Sequence, residues 1–236
     1  MKAMILAAGL GTRMRPLTDH TPKPLLEVGG IPLIVWHLEK LAHYGFKEVV
    51  INIAHLGWKI PEALGDGSKW GLKIIYSDEQ EEGGLESAGG IVKALPHLKG
   101  SDPFLVVNGD VWTDYDFDAS LSLKEGMLAH LILVPNPAHN PKGDFALEDG
   151  KVADLPQYTF SGIGYYSPKL FENVPYGKRA LASLLREAMH KGSVSGELYE
   201  GAWYDIGTPK RLEMLNMSLI NRLQPTKRST FTKSPE

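Results

Sequence analysis

The 236-residue chain contains no cysteine, which excludes a disulfide framework, a thiolate metal site and a cysteine nucleophile together. Positive charge is not in excess either. The 25 Lys and Arg against 28 Asp and Glu give a formal net charge of −3, so there is no basic footprint and nucleic acid is not an expected partner. No apolar run reaches the ~18 residues of a membrane-spanning helix, and the first residues read as a strand, not as a charged leader with a cleavage site. These absences predict a cytoplasmic protein with no membrane partner. They leave the oligomeric state open.

What is present is concentrated at the start. Met1 to Gly9 is an apolar strand that empties into Leu10-Gly11-Thr12-Arg13-Met14-Arg15-Pro16-Leu17-Thr18, followed by Thr21-Pro22-Lys23-Pro24. Gly9 and Gly11 lack the Cβ atoms that would hold a ligand off the backbone, so successive N–H groups can converge on phosphate oxygens. Arg13, Arg15 and Lys23 add full charges. The stretch is suited to a polyphosphate. A dinucleotide fingerprint is excluded because Met14 and Arg15 stand where a small residue is needed, and a P-loop is excluded because no Gly-Lys-Ser/Thr follows.

Beyond this loop, strand and helix alternate. The pattern predicts a helix over 31–45 stopped by Gly45, strands over 46–54 and 72–77, a short helix over 91–95 and a strand over 104–107. The second half reads as a strand over 127–135, a hairpin over 145–155 turning at Asp149-Gly150, and a strand over 160–167. A helix over 179–190, an extended segment over 198–207 and a helix from Thr208-Pro209 to about Leu223 complete it. Alternation of this kind argues for an α/β fold with a mostly parallel sheet covered on both faces. Residues 1–223 read as one domain, and the polar stretch 224–236 as a disordered tail.

Asp110 follows the apolar run Phe104 to Val107 and so stands at the carboxyl end of a buried strand, where open α/β sheets bind ligands. A carboxylate facing a polyphosphate suits Mg²⁺. A second carboxylate, Asp205, lies between an extended segment and a helix start whose cap Thr208 already provides.

The run Leu-Ala-Ala-Gly, the Gly-Thr-Arg-x-Arg-Pro-Leu-Thr that follows, and Pro-Lys-Pro together resemble the signature of the sugar-1-phosphate nucleotidyltransferases. The resemblance implies a single-domain, Rossmann-like nucleotidyltransferase fold with a mixed, mostly parallel central sheet. It implies nucleotide contacts from Ala7, Ala8, Gly9, Gly11, Thr12, Arg13, Lys23, Glu79, Gly84 and Asn108, with Glu79 to Gly90 as the nucleobase loop. Asp110 in Asn-Gly-Asp and Asp205 before Gly-Thr-Pro become the two Mg²⁺ ligands. Asn108, Gly143, Gln157 and Gly162 fall where relatives place the sugar, although Asp154-Leu155-Pro156-Gln157 stands where many relatives carry Glu-Lys-Pro. His139 reads as a solvated loop residue.

The implied reaction is an in-line attack of a sugar 1-phosphate on the α-phosphorus of a nucleoside triphosphate, needing positioning and charge neutralisation but no protein nucleophile. Arg13 would neutralise the triphosphate and Lys23 would draw the two phosphates together. Asn108 to Phe117, the loop 135–142 and Phe160-Ser161-Gly162-Ile163-Gly164 look most like the short uridylyltransferases acting on N-acetylmuramic acid 1-phosphate in cell-wall recycling, which implies UTP as the donor. The alternatives are guanylyl-, thymidylyl- or uridylyltransfer to mannose or glucose 1-phosphate, cytidylyltransfer to phosphocholine, or a non-catalytic nucleotide-sugar sensor.

Overall fold

The computed structural model describes residues 1–223; the stretch 224–236, expected to be disordered, lies outside the described residues. Along the chain run β1 (Ala3–Leu6), a small hairpin of β2 (Glu27–Val28) and β3 (Ile31–Pro32), α1 (Leu33–His43), β4 (Glu48–Ile53), α2 (Lys59–Leu64), β5 (Lys73–Asp78), α3 (Glu86–Leu98), β6 (Phe104–Asn108) and β7 (Val111–Thr113). The second half adds β8 (Ala129–Val134), β9 (Phe145–Glu148), β10 (Lys151–Tyr166), α4 (Leu181–His190), β11 (Val194–Leu198), β12 (Trp203–Asp205) and α5 (Pro209–Leu223).

The main sheet follows the order β11-β8-β10-β6-β1-β4-β5, with β9 attached to β10. Strands β5, β4, β1 and β6 are parallel, as are β8 and β11, while β10 runs against β6 and β8. The sheet is therefore mixed and mostly parallel. Its central strands are apolar on both faces because both faces are covered. Ala3, Ile5, Val49, Ile51, Leu105 and Val107 pack with Ile34, Leu38 and Leu41 of α1. The alternate residues Met4, Val50 and Val106 pack with Ala88, Ile91 and Ala94 of α3 and with Leu181, Leu184 and Leu185 of α4. A third cluster joins Met14, Val28, Leu33 and Trp112 to Ile206, Leu212 and Leu215.

Several boundaries differ from the sequence reading for physical reasons. The first helix begins at Leu33, not at residue 31, because Ile31 and Pro32 pair back onto Val28 and Glu27. The helix expected over 91–95 starts at Glu86. Its glycines are not loop punctuation: a Cβ on Gly89 would lie 2.3 Å from the Gly177 carbonyl oxygen. The Asp149-Gly150 turn forms with positive φ at both residues, as a two-residue hairpin of this kind requires. The strands expected over 145–155 and 160–167 join through β10, whose 16 residues absorb register shifts near 153–158 and 160–163. Strand β11, which the sequence reading lacked, pairs parallel with β8.

Candidate active site

The glycine loop leaves β1 along a fixed path. The Ala7 N–H donates to Asn52 Oδ1 at 2.7 Å. Gly11 has φ +63°, and a Cβ there would meet Thr18 Cγ2 at 2.9 Å, while Thr18 Oγ1 donates to the Gly11 carbonyl at 2.6 Å. Thr12–Met14 then makes one turn of 3₁₀ helix, and Met14 is fully buried beside Trp112 and Ile206. One apolar side chain thereby ties the loop to the segment that carries Asp205.

The loop forms one wall of a cavity of about 560 Å³. Ala7, Ala8, Gly9, Gly11, Thr12, Arg13, Lys23, Glu79, Gly84, Asn108 and Asp110, read from the sequence as site residues, all line it. Gly84 faces the glycine loop across the opening, with its Cβ direction 3.8 Å from the Ala8 carbonyl oxygen. Glu86, within the expected nucleobase loop, also lines the cavity, as does Lys178, which was not anticipated. Lys178 comes from the segment before α4, and nothing in its local sequence marks it. Glu86 has φ +60°, a strained conformation for a residue with a Cβ, at the first turn of α3.

The two acids come from adjoining backbones. Gly109 brings the end of β6 against β1: its N–H donates to the Leu6 carbonyl at 2.8 Å, and a Cβ would lie 2.7 Å from that oxygen. Strands β7 and β12 pair antiparallel with Val111 opposite Asp205, and the Ile206 N–H donates to the Asp110 carbonyl at 2.8 Å. Asp110 Oδ2 accepts from Lys23 Nζ at 2.7 Å. Asp205 Oδ2 accepts from Arg211 Nη1 at 3.0 Å and meets His139 Nε2 at 3.0 Å. His139 is an exposed loop residue, as expected, and the loop 135–142 also delivers it to the second acid.

Two carboxylates on adjoining strands are hard oxygen donors of the kind a divalent cation takes. Among the described residues, no group of three or more His, Cys, Asp or Glu side chains could hold a metal alone. The pair fits an ion that completes its shell with phosphate and water oxygens. Below β7, His37 is 2 % exposed, and burial lowers its pKa to about 4, so the imidazole there is neutral at pH 7.

Glu79 lines the cavity with its carboxylate already engaged. Its side chain is fully buried, with Oε1 accepting from Asn52 Nδ2 and Oε2 from the Leu85 N–H, both at 2.8 Å. Burial pushes its carboxyl up and these two hydrogen bonds hold it down. It braces the cavity wall that it helps to line. Asn52, which relays this bracing to Ala7, was absent from the sequence reading. The same loop is latched outside the cavity, where Glu82 accepts from Lys93 at 2.6 Å and from the Tyr176 hydroxyl.

The four residues read as sugar contacts fall into two pairs. Asn108 stands over Gly162, which has φ +79° and whose Cβ would lie 2.6 Å from Asn108 Nδ2. Gly143 and Gln157 meet at the root of the loop 135–144, where a Cβ on Gly143 would lie 2.8 Å from the Gln157 carbonyl carbon. Gln157 is exposed, with its side-chain oxygen accepting from the Leu147 N–H at 3.1 Å, and neither residue of this second pair lines the cavity. The loop is pinned to β10 instead by Asn136 and Asn140, both bonded to Thr159, and by Asp144, which accepts from the Phe160 N–H.

The family model described as nucleotidyl transferase matches residues 2–222. The chain is 56% identical over 223 residues to the N-acetylmuramate alpha-1-phosphate uridylyltransferase of Neisseria meningitidis serogroup B, covering 90% of this chain and 96% of that protein. It is 32% identical over 225 residues to the protein of the same name from Caulobacter vibrioides, covering 88% and 92%. The solved structure of the CTP:phosphocholine cytidylyltransferase of Streptococcus pneumoniae superposes with a TM-score of 0.73 at 22% identity, covering 92% of this chain and 98% of that one, a likeness of fold alone.

Proposed function

The chain belongs to the nucleotidyl transferase family, and on that premise we propose that it transfers the uridylyl group of UTP to N-acetylmuramic acid 1-phosphate. The products are the UDP-sugar and pyrophosphate, and the setting is cytoplasmic recycling of cell-wall sugars. The observation that carries the reading is the convergence of the glycine loop, Arg13, Lys23 and Asp110 on one cavity, with Asp205 on the adjoining strand. The 56% identity to a uridylyltransferase over nearly its whole length supports the choice of substrates. Residues 1–223 act as one catalytic unit in this proposal.

The backbone N–H groups of Ala8 to Thr12 cradle the triphosphate, and Arg13 neutralises the pyrophosphate that leaves. Lys23 lies at the Asp110 carboxylate and draws the attacking phosphate toward the α-phosphorus. Asp110 and Asp205 would hold a divalent cation, for which we propose Mg²⁺, supplying Lewis-acid polarisation of phosphate oxygens. Asn108 orients the sugar beside Gly162. A phosphate monoester is nucleophilic without help, so no side chain need remove a proton.

A pyrophosphate-release matrix of the four ribonucleoside triphosphates and dTTP against N-acetylmuramic acid, glucose and mannose 1-phosphates and phosphocholine, with and without Mg²⁺, tests the reading. Turnover confined to UTP with N-acetylmuramic acid 1-phosphate and dependent on Mg²⁺ is expected. Preference for another pair refutes the assignment, and nucleotide binding without turnover on any pair marks a sensor.

A further inference from the structure

The cations that line the cavity are Arg13, Lys23 and Lys178, and a further one, Arg211, stands beside it at Asp205. An in-line displacement brings a second phosphate, a dianion, to the α-phosphorus opposite the departing pyrophosphate. Lys23, already bonded to Asp110, supplies that phosphate with one positive partner, and the second negative charge of the dianion leaves room for another. The β10 stretch Asp154-Leu155-Pro156-Gln157 contains no cation.

Resting on the acceptor reading above, we propose that Arg211 binds the phosphate of the sugar 1-phosphate. Its guanidinium is held by two neighbours: Nη1 donates to Asp205 Oδ2 at 3.0 Å and Nε to Thr208 Oγ1 at 3.4 Å. A Cβ on Gly207 would lie 2.1 Å from Nη2, so the planar group rests on the Cα of a residue that itself lines the cavity. Asp205, Gly207 and Thr208 thus supply a counter-ion, a gap and an acceptor for one side chain. Among the described residues no acceptor engages Nη2, which leaves that nitrogen for a ligand. With only 20% of its side chain exposed, Arg211 is largely ordered before the ligand arrives. A seated guanidinium gives up less conformational freedom on binding a phosphate than a free lysine would.

The test compares wild type, Arg211→Gln, Arg211→Lys and Gly207→Ala. UTP affinity in Mg²⁺ is read by calorimetry, KM for N-acetylmuramic acid 1-phosphate by pyrophosphate release at saturating UTP, and folding by thermal melting. Loss of a charge-assisted pair should raise that KM about ten- to a hundredfold in Arg211→Gln, with the UTP Kd within about threefold of wild type. Arg211→Lys should fall between. Gly207→Ala, which pushes the guanidinium off its seat without removing its charge, should raise the same KM. An unchanged KM in a folded Arg211→Gln or Arg211→Lys enzyme, or a parallel loss of UTP affinity, overturns the role of Arg211. Absence of wild-type turnover on any sugar 1-phosphate overturns the functional reading, and this inference with it.

Discussion

Replacing Glu79 by Gln changes one oxygen to an NH₂ group and should still damage the site, because the hydrogen-bond chain it belongs to has a donor at each end. The Ala7 N–H enters at one end through Asn52, and the Leu85 N–H enters at the other. Asn52 relays, accepting once and donating once, so Glu79 must accept twice. Gln accepts at one oxygen only. Rotating either amide moves the mismatch along the chain without removing it, and one buried N–H is left unpaired. Such a group costs about 1–3 kcal/mol, partly offset because a buried carboxylate is itself unfavourable, as its upward pKa shift indicates. For a protein of this size, a net loss of about 1–2 kcal/mol lowers Tm by roughly 2–8 °C. Wherever the mismatch settles, it loosens a cavity wall, at Ala7 or at Leu85. KM for UTP should therefore rise more than kcat falls. Thermal melts and steady-state kinetics on Glu79→Gln, with Glu79→Asp as the carboxylate control, check this. A Gln variant with wild-type Tm and wild-type KM for UTP would refute the two-acceptor reasoning.

Asp110→Asn and Lys23→Ala should each lower kcat on the order of 10²–10³ while remaining folded by circular dichroism; near-normal turnover in either removes that residue from the mechanism. Gly90→Ala, which helix propensity favours by about 1 kcal/mol, should nevertheless lower Tm, since the new Cβ would meet Glu79 Oε1 at 2.6 Å and Asn52 Nδ2 at 2.8 Å. Gly162→Ala places a Cβ at φ +79° against Asn108 and should raise KM for the sugar 1-phosphate in a destabilised but folded enzyme. His37 has its pKa lowered in the fold from 6.5 to about 4, so the unfolded chain takes up the proton first as pH falls. Its contribution is fully present above pH 6.5 and is lost as pH falls through 4, amounting to about 3 kcal/mol. Denaturant titrations should show that pH dependence in wild type and a shallower one in His37→Leu.

The readable parts of the site were those whose function is local in sequence. Gly11, Arg13 and Lys23 lie within one short stretch that spacing marks, whereas Asp110 and Asp205, each where an extended segment gives way to a turn, stand out only through the resemblance of Asn-Gly-Asp and Asp-Ile-Gly-Thr-Pro to the family's motifs. Glu79 was legible as a residue of the site, but not its bond to Asn52, which approaches from another strand. Arg211 looks like any cation in the first turn of α5 until the bare Cα of Gly207 is seen beneath it. His139 reaches Asp205 only because Asn136, Asn140 and Asp144 fix the loop to β10, contacts that no periodicity announces. The parallel alternation of strand and helix was legible for the first half, though not the strand order. The strand pattern failed at β11, whose Gly196 and polar neighbours weaken a strand signal that pairing with β8 restores.

The ribbon of β7 and β12 joins residues 111–113 to residues 203–205 through three facing pairs. A ribosome releases the glycine loop, Lys23 and Asp110 long before it releases Asp205. Until the final stretch emerges and zips onto β7, Met14 of the glycine loop lacks the Ile206, Leu212 and Leu215 side chains it packs with, and the second of the proposed acids is missing. The loop and the site it lines therefore take their final shape only in a late event of synthesis.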